Sequence, residues 1–170
     1  MSGEIKIYKQ GLEEYPKSGI IRGNFMMILW IALGTLACWF LYPLVAWIYL
    51  AFAVIMVGIV LRKLLCTNCY YYDKKCCLGW GKFSALLFKQ GNIDKFSQSV
   101  GQKLAPLTYG LLSLVPIILI IISMVNDFLI SKLIVFLLIL LISFYSGTVN
   151  RKKNCAVCKM RLMCAGSAVK

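Results

Sequence analysis

The sequence predicts an all-α integral membrane protein whose four transmembrane helices form two hairpins. Three observations carry this expectation. First, 61% of the 170 residues are hydrophobic and the mean hydropathy is +0.80, whereas soluble domains hold about 45–50% apolar residues. Second, the apolar residues gather in two blocks, 25–61 and 104–145. A span takes about 20 residues at 1.5 Å each, so each block is too long for one crossing and suits two. Third, basic residues divide 18 to 1 between the segments flanking these blocks and the turns inside them.

Residues 1–24 form a segment of mixed charge, with Lys6, Lys9, Lys17 and Arg22 beside Glu4, Glu13 and Glu14. With no small-x-small site following, it does not read as a cleaved signal peptide. Residues 25–61 are the first hairpin, Phe25–Leu41 and Leu44–Leu61, broken at Pro43 because proline lacks the backbone donor that continues a helix. Residues 62–103 are a cysteine-rich loop, long enough to need structure of its own. Within it Trp80, Phe83, Leu86 and Leu87, with Lys82 and Lys89 alongside, recur at helical spacing, and so do Ile93, Phe96, Val100 and Leu104. Both patterns predict amphipathic helices lying in the membrane interface.

Residues 104–145 are the second hairpin, Leu104–Val125 and Leu129–Tyr145, interrupted by Asn126 and Asp127. Pro106 falls in the first turn of this block, where its missing donor does no harm, while Pro116 lies inside and predicts a kink, with Ser113 placed to satisfy the freed backbone. Residues 146–170 are a cysteine-rich tail, and its Ser-Ala-Val-Lys ending is no prenylation box.

The charge distribution sets orientation. Positive residues remain on the cytoplasmic side, so both termini and the 62–103 loop are expected there, in a multi-pass protein of the cytoplasmic (inner) membrane. Lys132 alone falls opposite. The net charge of +13 is spread over three segments beside the membrane, which suits topology and anionic lipid and not nucleic acid. The expected partners are the lipid bilayer and a protein partner or a second copy. Trp39, Phe40, Tyr42 and Trp47 read as an interfacial belt on the far side, and Tyr70, Tyr71 and Tyr72 as headgroup residues.

The absence of histidine excludes a His-ligated haem, a Ser-His-Asp triad and a His-ligated zinc hydrolase. Neither a P-loop nor a G-x-S-x-G motif is present, and the spans hold almost nothing ionisable, which argues against a pump, an antiporter or a channel.

The chemistry lies in the cysteines. Cys38 sits inside span one and reads as a small buried hydrophobe. The other seven form two clusters, Cys66-x2-Cys69-x6-Cys76-Cys77 and Cys155-x2-Cys158-x5-Cys164, each just beyond the cytoplasmic end of a hairpin. Disulfides are disfavoured there, and a Cys-x-x-Cys pair lets two thiolates of one turn reach one ion. All seven are therefore candidate metal ligands. The repeated order of hairpin then cluster suggests a tandem duplication that brings both clusters to one face, with Cys69 and Cys158 close together.

Cys155-x2-Cys158-x5-Cys164 resembles the C-terminal trio of AddB-type recombination nucleases and part of the SPASM auxiliary-cluster domains. In those families such a trio binds a [4Fe–4S] cluster with a fourth, distant cysteine. The resemblance covers ten residues, and Ala165 stands where a proline often follows an iron–sulfur cysteine. It implies a cluster type and neither a nuclease nor a radical enzyme.

Seven thiolates cannot complete two four-ligand sites. Cys76 and Cys77 are neighbours, and neighbours on an extended chain point opposite ways, so one could serve each site. One site would be Cys155, Cys158, Cys164 and Cys76 or Cys77. The other would have three thiolates and a position open to water, Asp73 or a ligand. A single zinc held by Cys66, Cys69, Cys155 and Cys158 is the competing arrangement. The function expected is that of a membrane-anchored iron–sulfur protein, in electron transfer or as a subunit of a membrane redox complex. If it belongs to an enzyme, that enzyme is an oxidoreductase. The alternatives are a zinc-stabilised membrane scaffold, a four-helix thiol–disulfide oxidoreductase, and a scaffold acylated at Cys76 and Cys77.

Overall fold

The computed structural model describes residues 7–169, so Glu4, Lys6 and Lys170 lie outside it. The described residues are all helix, turn and loop. Seven α-helices occur in order: α1 Lys17–Trp39, α2 Pro43–Ile55, α3 Leu61–Leu65, α4 Trp80–Leu87, α5 Val100–Asn126, α6 Ile130–Phe144 and α7 Arg151–Ala156. A π-helical turn, Met56–Val60, joins α2 to α3, and another, Tyr145–Asn150, joins α6 to α7. Four continuous helices result, Lys17–Trp39, Pro43–Asn68, Val100–Asn126 and Ile130–Ala156, each long and apolar enough to cross a membrane.

Length decides what stands outside the bilayer. The second and fourth of these helices have 26 and 27 residues, or about 40 Å at 1.5 Å per residue, against a hydrocarbon core of about 30 Å. Cys66 and Cys155 lie within the last three residues of these two helices.

Helix α1 begins at Lys17, eight residues before the apolar block. Its polar start is matched by the loop it meets. Asn24 Nδ2 donates to the Ile20 and Leu78 carbonyls, both at 2.9 Å, and Asn24 Oδ1 accepts from Trp80 Nε1 at 3.1 Å. The first turns of α1 therefore stand against the cysteine-rich loop. Pro43 occupies the first position of α2, where its missing N–H has no intrahelical partner to lose.

The bundle interior is built from small residues. Helix α1 packs against α2, α5 and α6, and α5 against α6. Ala37, Ala46 and Ala53 are buried at these contacts, which lets backbones approach where lipid offers no hydrophobic drive between helices. Large side chains such as Ile28, Trp47, Leu141 and Phe144 face outward. Trp39, Tyr42 and Trp47 lie exposed about the α1–α2 turn, while Phe40 packs against the Ala37–Ile120 core.

Two sequence expectations are corrected within α5. It starts at Val100, so Pro106 lies inside the helix and not in its first turn. Pro116 frees the carbonyl of Leu112, four residues earlier. The partner is Tyr49 of α2, whose hydroxyl donates to that oxygen at 2.9 Å, and not Ser113. Gly34 of α1 makes room: a Cβ there would stand 2.3 Å from Tyr49 Oη. Three helices meet at this bond.

At the opposite end from the cysteines, Lys132 is only 5% exposed. Its Nζ donates to the Ser123 carbonyl at 3.0 Å and the Asp127 carbonyl at 2.8 Å, and pairs with Asp127 Oδ2 at 3.5 Å. A cation thus closes the C-terminus of α5, where helix carbonyls lack intrahelical donors.

Of the two interfacial helices expected, α4 forms. Trp80 is buried, and Phe83, Leu86 and Leu87 are exposed. The second does not form as a unit: Ile93–Lys95 is a single 3₁₀ turn, Phe96 is buried, and Val100 to Leu104 belong to α5. The pattern there had merged a turn with the start of a span.

Candidate functional site

Seven cysteines converge at one end of the bundle. Cys66 and Cys76 pack on the bundle core around Trp80. Cys69, Cys76, Cys77, Cys158 and Cys164 pack on a second core of Tyr15, Tyr71, Phe96 and Met160. The cysteines form a layer between the two cores. All are free thiols. Cys38 is apart from them, fully buried in the bundle.

The first loop is shaped by two glycines. Gly79 has φ +70°, a left-handed conformation that other residues adopt only at a cost. At Gly81 a Cβ would lie 1.8 Å from the Tyr71 carbonyl oxygen and 2.4 Å from that of Lys74. Only glycine permits this approach. The turn is closed by Lys74 N–H to Tyr71 O at 3.0 Å, Asp73 N–H to Gly81 O at 3.2 Å and Gly79 N–H to Cys76 O at 2.9 Å. Cys76 is thereby brought beside Cys66 on the core around Trp80.

The tail is held by residues of the opposite half. Tyr8 N–H donates to Lys159 O and Leu12 N–H to Val157 O, both at 2.9 Å, and Tyr15 N–H donates to Lys75 O at 2.9 Å. The Tyr15 hydroxyl donates to the Asn154 carbonyl at 2.9 Å, and its ring meets that of Tyr71 edge-on at 5.6 Å. The Tyr71 hydroxyl donates to Leu12 O at 2.7 Å and accepts from Lys159 N–H at 3.2 Å. Glu13 pairs with Lys159 Nζ and accepts from the Tyr70 hydroxyl, and these contacts, Lys159 foremost, hold its carboxyl below the usual carboxylate range. The segment 8–15 is a strap across both cysteine loops.

For Tyr71 this corrects the headgroup reading. Tyr71 is buried in the layer, and Tyr72 donates to Phe88 O at 2.7 Å within the loop. The strap itself had no sequence signal beyond its mixed charge. Tyr15 and Tyr71 become recognisable only once both ends of the chain meet.

The thiols of the layer influence one another across both loops. Cys66 lies within electrostatic reach of Cys76, and Cys69 within reach of Cys66, Cys158 and Cys76. Cys77 feels Cys158 and Cys155 besides its neighbour, and Cys164 feels Cys155. Cys76 and Cys77 are joined to each other by a hydrogen bond, and Cys69, Cys76, Cys77, Cys158 and Cys164 share the core of Tyr15, Tyr71, Phe96 and Met160, so the thiols of both loops form one connected set.

The thiols are unequal. The Cys77 thiol hydrogen-bonds Cys76, and with the backbone N–H groups of Leu78, Gly81 and Trp80 it pulls the Cys76 thiol below its usual range. The Trp80 N–H reaches Cys76 Sγ at 3.1 Å. The hydrogen bond with Cys76, then burial, pushes the Cys77 thiol up. Burial pushes up Cys69, Cys158 and Cys164. Cys76 is the sulfur most ready to ionise.

Among the described residues, no three cysteine or carboxylate side chains close on a common point tightly enough to hold an ion. Ligation would require the sulfurs to draw inward from the positions they hold here. Asp73, a candidate for the open ligand position, is exposed in a left-handed turn. Beside Cys69 opens a cleft of about 470 Å³ bordered by Asn68, Tyr72, Lys74, Gln90 and Ile93.

Comparison with known proteins returned no matching family, no matching curated protein and no matching solved structure.

Proposed function

We propose that this chain is a membrane-anchored iron–sulfur protein, acting in electron transfer or as a subunit of a membrane oxidoreductase complex. The seven thiols would form two neighbouring centres. Cys77, Cys155, Cys158 and Cys164 supply four thiolates for one, with Cys77 as the distant fourth ligand that the resemblance of the tail trio calls for. Cys66, Cys69 and Cys76 supply three for the other. The single observation that supports this reading is the gathering of both cysteine clusters at one end of the bundle, with Cys66 and Cys76 on one core and Cys69, Cys76, Cys77, Cys158 and Cys164 on the next. Thiolates are the strong ligands available to a soft metal in a chain without histidine. An apolar shell of Tyr15, Tyr71, Phe96 and Met160 would keep water from the clusters.

The orientation follows from charge: cysteine layer, both termini and the 62–103 loop in the cytoplasm, in the inner membrane. The tandem duplication belongs to the same reading. It is supported by a matched feature of the two halves. Each second helix passes through a π turn, ending at Val60 or Asn150, shortly before the first cysteine of its cluster, Cys66 or Cys155.

The test is anaerobic purification with measurement of iron, zinc and acid-labile sulfide. Iron and sulfide together, with a visible band that bleaches on reduction, are expected. Cys77→Ser should remove one centre and leave the other. Stoichiometric zinc without sulfide would replace this reading with the zinc scaffold. A metal-free chain that gains thiols on reduction would replace it with thiol–disulfide exchange.

A further inference from the structure

Arg62 is the first charged residue after the apolar block 25–61. From Pro43 to Arg62 the second long helix rises about 28 Å at 1.5 Å per residue, close to the hydrocarbon thickness of about 30 Å. Pro43 opens that helix beside the exposed Trp39, Tyr42 and Trp47. With this aromatic turn at one membrane face, Arg62 stands at headgroup depth on the other, where the cysteines lie. Its guanidinium lies over the rings of Trp80 at 4.1 Å and Phe83 at 4.4 Å. These contacts hold the cation in place and use none of its N–H groups. The residue is partly exposed, and its Nε has no hydrogen-bond partner. The ion pairs among the described residues engage Lys74, Lys75, Lys132 and Lys159, and no carboxylate reaches Arg62. Cys66 and Cys76 are within its electrostatic reach, but a thiol is a weak acceptor.

Helix α4 adds an apolar face to this cation. It packs against α3 and the 3₁₀ turn Cys66–Asn68. Phe83, Leu86 and Leu87 fall at i, i+3 and i+4 and so share one side of the helix, and Leu86 is 82% exposed. Lys63, next to Arg62, and Lys82, next to Phe83, are exposed as well. Neither 61–68 nor 80–92 holds an acidic residue. We propose that Arg62, Lys63, Lys82 and the exposed face of α4 form a site for one anionic phospholipid of the adjoining leaflet. Its phosphate pairs with the guanidinium, and its acyl chain runs along Phe83, Leu86 and Leu87. A guanidinium presents parallel N–H donors that match two phosphate oxygens. Phe83 couples the two halves of the site, because its ring holds Arg62 and belongs to the apolar face. Lys63 and Lys82 favour a headgroup of net negative charge over a zwitterionic one, whose own cation they repel. The site requires that the four long helices cross a membrane, and it is independent of what the thiols carry.

The experiment titrates the delipidated full chain in detergent with phosphatidylglycerol and, separately, phosphatidylcholine, and counts bound lipid by native mass spectrometry. One phosphatidylglycerol per chain should bind, with phosphatidylcholine weaker by about tenfold or more. Arg62→Gln should weaken phosphatidylglycerol binding by about tenfold or more, the scale of a lost charge-assisted hydrogen bond. Arg62→Lys should fall between the two. Leu86→Glu should also weaken it, and because Leu86 is so exposed the fold is kept, so this variant decides if Arg62→Gln fails to fold. Lys152→Gln, which removes an exposed cation elsewhere on the same end of the bundle, should bind as wild type. Wild-type affinity in folded Arg62→Gln or in Leu86→Glu, an equal loss in Lys152→Gln, or equal affinity for the two lipids overturns the site. Displacement of phosphatidylglycerol by millimolar inorganic phosphate would assign Arg62 to a soluble anion and overturn it too. None of these results bears on the iron–sulfur reading, which stands or falls on iron and sulfide content.

Discussion

Replacing Tyr71 by phenylalanine tests how the cysteine layer is kept shut. The hydroxyl joins the Leu12 carbonyl of the strap at 2.7 Å to the Lys159 N–H of the tail at 3.2 Å. The ring is only 3% exposed, and phenylalanine keeps its packing against Tyr15. Tyr71→Phe leaves a carbonyl and an N–H without their partner in an interior with little water. A buried unsatisfied group costs about 1–3 kcal/mol, and a loss of about 2 kcal/mol raises the opening equilibrium about thirtyfold, since 1.4 kcal/mol is a factor of ten. Tail opening exposes Cys158, which packs on this core. The assay is the alkylation rate of Cys158 in reduced, metal-free protein at fixed pH, read by mass spectrometry. Cys38, fully buried in the bundle, is the internal control and should label at its wild-type rate. An unchanged rate at Cys158 would refute the strap as the closing element, and faster labelling of Cys38 would show general unfolding instead.

Three further outcomes are expected. In a double-mutant cycle, Tyr49→Phe should cost about 1–2 kcal/mol of unfolding free energy in detergent. The cost should largely vanish in Pro116→Ala, which returns a backbone donor to Leu112, and equal costs in both backgrounds would refute the link. Gly81→Ala should open the cysteine layer while the spans stay helical, read as fast Cys158 alkylation with unchanged far-ultraviolet dichroism, because its Cβ would meet backbone at 1.8 Å. Cys38→Ser should leave metal content at the wild-type value, while Cys77→Ser should lose one centre.

The four spans were legible because hydrophobic length is a property of consecutive residues. Pro43 and the Asn126–Asp127 break marked the hairpin turns correctly for the same reason. Helix ends were less legible. Lys17, Arg22 and Asn24 read as polar sequence before a span, yet they belong to α1 because the loop that satisfies Asn24 lies 54 residues away at Leu78. Tyr49, Leu112 and Gly34 meet through three helices, and no local pattern announces that. In the site, the cysteine spacing drew attention to all seven thiols, and Cys69 and Cys158 pack on one core. Where Cys76 and Cys77 lie depends on the turn at Gly79 and Gly81, which no spacing announces. The strap of residues 8–15 depended on contacts with no periodicity at all.

The strap also fixes the order in which the cysteine layer can be completed. Tyr15 and Asn154, which join across it, are separated by 139 positions, and synthesis proceeds at about 5–20 residues per second. Through that interval Cys66, Cys69, Cys76 and Cys77 stand without the tail, while the last two long helices are still to be made. A nascent chain therefore presents a half-built, solvent-accessible thiol surface at the bilayer. Whatever cargo the layer receives, the tail trio can take it up only after the last helix is in place. Oxidant damage in the cell should fall hardest on chains stalled before Cys155.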